Sequence, residues 1–150
     1  MAEHLWSLFC ERQLVDPESG VISLMDVRES VYVEGLLQLI EEAKLQGKKG
    51  TLVSASALLI SWWHKSDDKE EALHVRYAFV GPDGKRHSER TLDAPWAEKI
   101  IFARFFIKFD NLPCAMPGLH WLHVEQRREV EGGEPQWDRV TRLPLHIGQA

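Results

Sequence analysis

Residues 51–64 read TLVSASALLISWWH, and this stretch decides the fold. From Leu52 to Trp63 it holds no charge, no glycine and no proline. That composition suits a strand buried on both faces in the middle of a sheet. Just upstream, Leu36, Leu37, Ile40 and Ala43 recur at helical spacing, with Glu41, Glu42 and Lys44 on the other side. Gly47 offers a C-terminal stop. The spacing predicts one helix of about three turns over residues 34–46.

The rest of the chain reads as strands and turns. Residues 4–10 are a short apolar run with aromatics. Asp16-Pro17-Glu18-Ser19-Gly20 is a turn, because Pro presets φ and Gly accepts a positive one. Residues 21–33 resume strand composition, and Asp26, Arg28 and Glu29 break the alternation, which predicts a bend or bulge. Downstream, Leu73, Val75, Tyr77 and Phe79 alternate with His74, Arg76 and Ala78, the pattern of a half-buried strand. Gly81-Pro82-Asp83-Gly84 is a turn, and residues 85–92 would pair back as a polar edge strand. Asp93-Ala94-Pro95 reads as a break.

Residues 99–109, KIIFARFFIKF, admit two readings. A helix capped by Asp93, with Pro95 in its first turn, is one. A strand is favoured by the β-branched and aromatic content. Leu112-Pro113 and Pro117-Gly118 frame a loop, residues 119–130 a strand, and residues 131–135 a turn. In the closing strand, Trp137, Arg139, Thr141, Leu143, Leu145 and Ile147 would share one face. About eight strands and one short helix predict a mainly β domain over residues 1–150. Its cheapest packing is an antiparallel β-sandwich, immunoglobulin-like or C2-like.

The totals narrow the function. A chain of 150 residues with 44% hydrophobic and 27% charged side chains suits one soluble globular domain. The net charge of −5 argues against a nucleic-acid binder, which needs a basic face for phosphates. No uncharged run approaches the ~20 residues that span a bilayer, so no membrane partner is expected. The N-terminal stretch lacks the basic region of a secretory signal. Cys10 and Cys114 form no CxxC pair and read as buried free thiols. These features predict a cytoplasmic protein.

Motifs for chemistry are absent. The closest histidines, His120 and His123, would point to opposite faces of a strand and could not share an ion. Asp67, Asp68, Glu70 and Glu71 are interleaved with Lys65 and Lys69 and read as a solvated loop, not a calcium site. No serine sits in a nucleophile elbow. Gly47-Lys48-Lys49-Gly50-Thr51 runs from helix to strand, the reverse of a phosphate loop. The reading contains no catalytic residue, no metal, no cofactor and no enzyme.

Short motifs across nearly the whole chain resemble the DUF6941 family of uncharacterised bacterial proteins. They are Leu8-Phe9-Cys10-Glu11-Arg12, the run from Asp16 to Ser23-Leu24, Pro82-Asp83-Gly84, Leu112-Pro113, Pro117-Gly118-Leu119-His120 and Leu143-Pro144-Leu145-His146-Ile147. The resemblance implies an immunoglobulin-like or C2-like sandwich and carries over no functional residue. The helical 34–46 segment departs from the short Pro-containing link that the family has there.

Adjacent aromatics point to a partner surface. Trp62-Trp63 and Phe105-Phe106 must each split across two faces of a strand. Arg104 and Lys108 share a face with Phe102 and Phe106, which marks it as the wetter one. The candidate interaction face is therefore Trp63, Phe102, Arg104, Phe106 and Lys108, an aromatic centre with a basic rim. Cover by the 34–46 helix is the competing reading. The expected function is non-enzymatic protein–protein contact, as a homodimer or as a small subunit of a bacterial assembly. One alternative is a small-molecule or carbohydrate-binding module stacking its ligand on Trp63 or Trp121. A second is an enzyme of unrecognised class.

Overall fold

A computed structural model describes residues 2–66 and 71–150. The charged Asp67–Glu71 loop thus lies largely outside the described residues. In chain order the elements are β1 (Ala2–Val15), β2 (Ile22–Val27), β3 (Ser30–Val33), α1 (Leu36–Leu45), β4 (Thr51–Lys65), β5 (Glu71–Val80), β6 (Arg86–Trp96), β7 (Phe102–Cys114), β8 (Gly118–Arg128) and β9 (Gln136–Gln149). They form two sheets, of order β2-β1-β4-β7 and β3-β9-β8-β5-β6. The fold is mainly β, as the alternation predicts. One feature of it is not antiparallel: β3 pairs with β9 in parallel. Residues 21–33 break where the sequence loses alternation, with Asp26 at φ 56°. The break lets β2 stay on β1 while β3 crosses to the second sheet.

β4 lies between β1 and β7, and its odd-numbered residues face the second sheet. Val53, Ala57, Leu59 and Trp63 pack there into one cluster with Leu73, Val75, Tyr77, Leu122, Val124, Leu145 and Ile147. Burial of this apolar surface is the main force holding the sheets together. A short polar chain runs through the cluster. His4 Nε2 lies 2.7 Å from Ser7 Oγ, Ser7 Oγ lies 2.8 Å from Ser61 Oγ, and Trp63 Nε1 donates to Ser61 Oγ at 3.0 Å. Buried polar groups need such partners. Burial lowers the His4 pKa and pushes the Tyr77 hydroxyl up to about 12, with Ser61 and Trp63 beside it pulling the other way. Both shifts favour the uncharged forms of these two groups.

α1 closes one end of the sandwich. Leu36 and Ile40 join the core, and the Leu37 N–H donates to Gln149 Oε1 at the end of β9. The helix meets β4 at its first residues; Trp62 lies eleven positions further along, roughly 35 Å away at strand rise. It cannot cover the aromatic face.

Two prolines are placed differently from the sequence reading. Pro95 and Pro113 lie inside β6 and β7 rather than between elements. Both strands are sheet edges, where a missing N–H costs no ladder bond. The closing strand is also not single-faced. A bulge opposite Val124 and Glu125 turns Val140 towards the core, and Trp137 emerges on the outer surface against Arg76.

Trp62 and Trp63 should differ sharply in what they hold together. Trp63→Ala should cost about 3–5 kcal/mol, the range for a buried aromatic, and Trp62→Ala no more than about 1–2 kcal/mol. Urea unfolding of the two variants measures the difference.

Candidate interaction face

The outward positions of the four-stranded sheet converge. Leu8 of β1, Ile60 of β4 and Phe106 of β7 stand in one row. Trp6, Trp62 and Arg104 form the next, and Cys10, Leu58 and Lys108 a third. Residues directly opposite in a ladder share a face, so these rows make one surface three strands wide. Its middle is closed by its neighbours: Ile60 is 1% exposed and Cys10 0%. Its top is open, with Trp6 at 38%, Phe106 at 40% and Phe102 at 54%.

The rings hold one another in place. Trp6 and Trp62 have centroids 5.4 Å apart, Trp62 and Phe102 6.4 Å, and His64 and Phe102 5.2 Å. The Arg104 guanidinium lies 5.1 Å from the Trp62 ring centre, a cation–π arrangement. Along this face run ion pairs of both signs: Lys108 with Asp110 at 3.2 Å and Arg12 with Asp26 at 3.2 Å. Exposed pairs of this kind add little stability. They do leave the rim close to neutral.

Four of the five residues expected from sequence, Phe102, Arg104, Phe106 and Lys108, lie on this face. Trp63 does not. It is fully buried on the inner side, edge-on to His4 at 4.9 Å. Alternation dictates that the two tryptophans separate but leaves open which one turns inward. The deciding group is Ser61, which shares the inner face with Trp63 and satisfies its indole N–H. A polar residue two positions before a tryptophan suggests solvent, and here it marks the core network. Sequence reasoning missed Trp6, Leu8, Ile60 and Trp62. The spacing of Trp6, Leu8 and Cys10 carried the signal for β1, but pairing with β4 was needed to use it.

The second sheet's outer face has different chemistry. Glu125, 3% exposed, accepts from Arg76 Nε at 2.5 Å and from both terminal nitrogens of Arg86. Burial alone would raise its pKa, but the Arg86 and Arg76 guanidiniums outweigh that and hold the carboxyl below its usual value. Arg76 lies over Trp137 at 4.6 Å and Arg142 over Trp121 at 4.1 Å. Neither platform named for a sugar is therefore open, since Trp63 is core and Trp121 carries an arginine.

Both cysteines and His120 are enclosed. Burial raises the pKa of both Cys10 and Cys114, which disfavours the nucleophilic thiolate. His120 is buried, stacked on Phe79 at 5.3 Å, with Nδ1 3.0 Å from the Gly118 carbonyl oxygen. Among the described residues no three His, Cys, Asp or Glu side chains are placed to hold a metal. No described helix is long and apolar enough to cross a membrane. No family model matches the chain, and no curated protein matches it.

Glu125 should leave a mark on acid unfolding. A carboxyl held below its unfolded value contributes stability that is complete above about pH 4.3 and is lost as the pH falls through the lowered folded value. The stability of the native chain should fall across that window. The Glu125→Gln variant should lack that component when denaturant midpoints are compared from neutral pH downwards.

Proposed function

We propose that the protein is a non-enzymatic β-sandwich that works through protein–protein contact, with a second copy of itself seated on the outer face of β1, β4 and β7. The observation that carries the reading is the aromatic cluster on the four-stranded sheet, in which the exposed Trp6, Phe102 and Phe106 surround the half-buried Trp62. Such rings, desolvated at the centre of a patch, dominate binding energy in protein interfaces.

Area and charge favour a second copy. Trp6, Phe102 and Phe106 together leave roughly 300 Å² of ring open. A standard interface takes about 800 Å² from each partner, a little over half of it apolar. The three rings, with the exposed Leu14 and Val27 further along the face, supply most of that. The rim carries Arg12 and Lys108 beside Asp26 and Asp110. A two-fold copy can set the bases of one rim against the acids of the other, so the chain's net negative charge does not oppose pairing.

The non-enzymatic part has its own support. The Ser7–His4 hydrogen bond could suggest a nucleophile with its base, but it lies inside the polar chain beside Trp63, and neither residue lines a described cavity. The free, buried cysteines agree with a reducing compartment, the cytoplasm. Kinship with the DUF6941 family belongs to the same proposal and is supported by the short motifs quoted above.

Size-exclusion chromatography with light scattering across a wide concentration range tests the reading. The native chain should pass from monomer to dimer. Phe106→Ser and Phe102→Ser should each weaken dimerisation about tenfold or more, with melting lowered by only a few degrees. A chain monomeric at every concentration would mean that the face serves a different partner. Dimerisation untouched by both substitutions would place the interface elsewhere.

A further inference from the structure

The outer face of the second sheet holds more positive charge than it pairs. In one row of the ladder Arg76 of β5, Glu125 of β8 and Arg139 of β9 lie side by side. The bulge at Val124 and Glu125 puts Arg139 there; in an unbroken register Val140 would stand opposite Glu125. Glu125 still makes no pair with Arg139, because Arg76 and Arg86 occupy both of its oxygens. Arg86 also meets Glu89 at 3.5 Å. In the next row His123 stands between Ala78 and Arg142. Arg76, Arg86, Arg139 and Arg142 thus share only Glu125 and Glu89. Among the described residues Arg139 and Arg142 make no ion pair and no side-chain hydrogen bond.

These two guanidiniums line the same cavity, of about 280 Å³, beside the turn at residues 81–84. His123 lines it too, and Leu119, Val80 and Pro82 give it apolar wall. No acid is among its described lining residues. Asp83, the acid of the adjoining turn, accepts the Lys85 N–H and lies 3.6 Å from His87 Nε2. Arg142 is held in place over Trp121, its guanidinium 4.1 Å from the ring centre. That contact spends none of its N–H donors on the protein. Burial first, then Arg139, Arg86 and Arg142, lower the His123 pKa, against the pull of Glu125. The imidazole is therefore neutral at pH 7 and offers one ring N–H.

We propose that this cavity binds the phosphate of a small phosphate monoester with an apolar body. A phosphate dianion matches the two unpaired guanidiniums in charge, and its free oxygens suit their planar donor forks. The neutral His123 adds a third donor. The body of the ester would lie on Leu119, Val80 and Pro82. The site is on the opposite sheet from the aromatic face and stands whether or not the chain dimerises.

Phenyl phosphate, phenyl sulfate and inorganic phosphate are the probes. Each is titrated into the ¹⁵N-labelled full chain at low ionic strength, above about pH 7, where the phosphates are mostly dianionic. Phenyl phosphate should shift the Trp121 indole and His123 ring resonances saturably. Phenyl sulfate, of the same shape with one charge, should bind about tenfold more weakly or worse, and inorganic phosphate more weakly for want of the ring. Arg139→Gln and Arg142→Gln should each weaken phenyl phosphate about tenfold or more with spectra still dispersed, and Lys44→Gln on α1 should leave it unchanged. Absence of a saturable shift in the native chain overturns the proposal. So do equal affinities for the ester and either comparison anion, or phenyl phosphate binding that survives both arginine substitutions.

Discussion

The sandwich depends on β4 having a hydrogen-bonded strand on each side and a second sheet beneath it. That position leaves only one of its faces near solvent. Its inner residues are largely small, with Ala55, Ala57 and Ser61 among them, which lets the second sheet approach closely. Trp63 then fills the space at the far end of the strand. Its N–H is met by Ser61, whose hydroxyl is also joined to Ser7 on the neighbouring strand. The chain of hydrogen bonds ties β1 to β4 at the point where a bulge between His4 and Trp6 shifts their register.

This arrangement settles what the outer surface can be. With Trp63 inside, Trp62 must turn out, and the ladder sets Trp6 on one side of it and Arg104 on the other. The aromatic face is thus a by-product of how β4 is packed underneath. The second sheet resolves the same problem with charge. Its outward tryptophans, Trp121 and Trp137, lie under arginines, and its buried Glu125 is paired twice. The first sheet gathers several open rings on one face, whereas the second carries an ionic surface with the exposed ring of Tyr32 at its β3 edge, which is why the partner is proposed for the first.

A cavity between β6 and β7, of about 270 Å³, follows from a different constraint. Two sheets of unequal width leave edges that hydrogen bonds do not join. At the other end of the molecule α1 closes the gap with Leu36 and Ile40. No helix does so beside Trp96, and the interior remains reachable there. Pro95 within β6 keeps that edge from extending into further pairing.

Much of this was legible in the chain. An uncharged run without glycine or proline suits a central strand, so β4 and the mainly β fold follow from composition. The expected burial of both its faces does not hold, because its even-numbered side chains lie on the outer face of the sheet, with Leu52 67% exposed. The helical spacing of Leu36, Ile40 and Ala43 likewise determines α1, because its apolar stripe needs a core to meet. Phe102, Arg104, Phe106 and Lys108 share a face by strand geometry alone. Alternation is symmetric, however: it separates Trp62 from Trp63 without saying which one is core. That choice was made by the pairing of Ser61 with Ser7, a contact between residues 54 positions apart. Bulges are equally invisible in a single strand, because each is defined against a partner, and so Trp137 and Val140 exchange faces with no local signal. The prolines of β6 and β7 read as breaks for the same reason, since only the order of strands in the sheets makes those two strands edges.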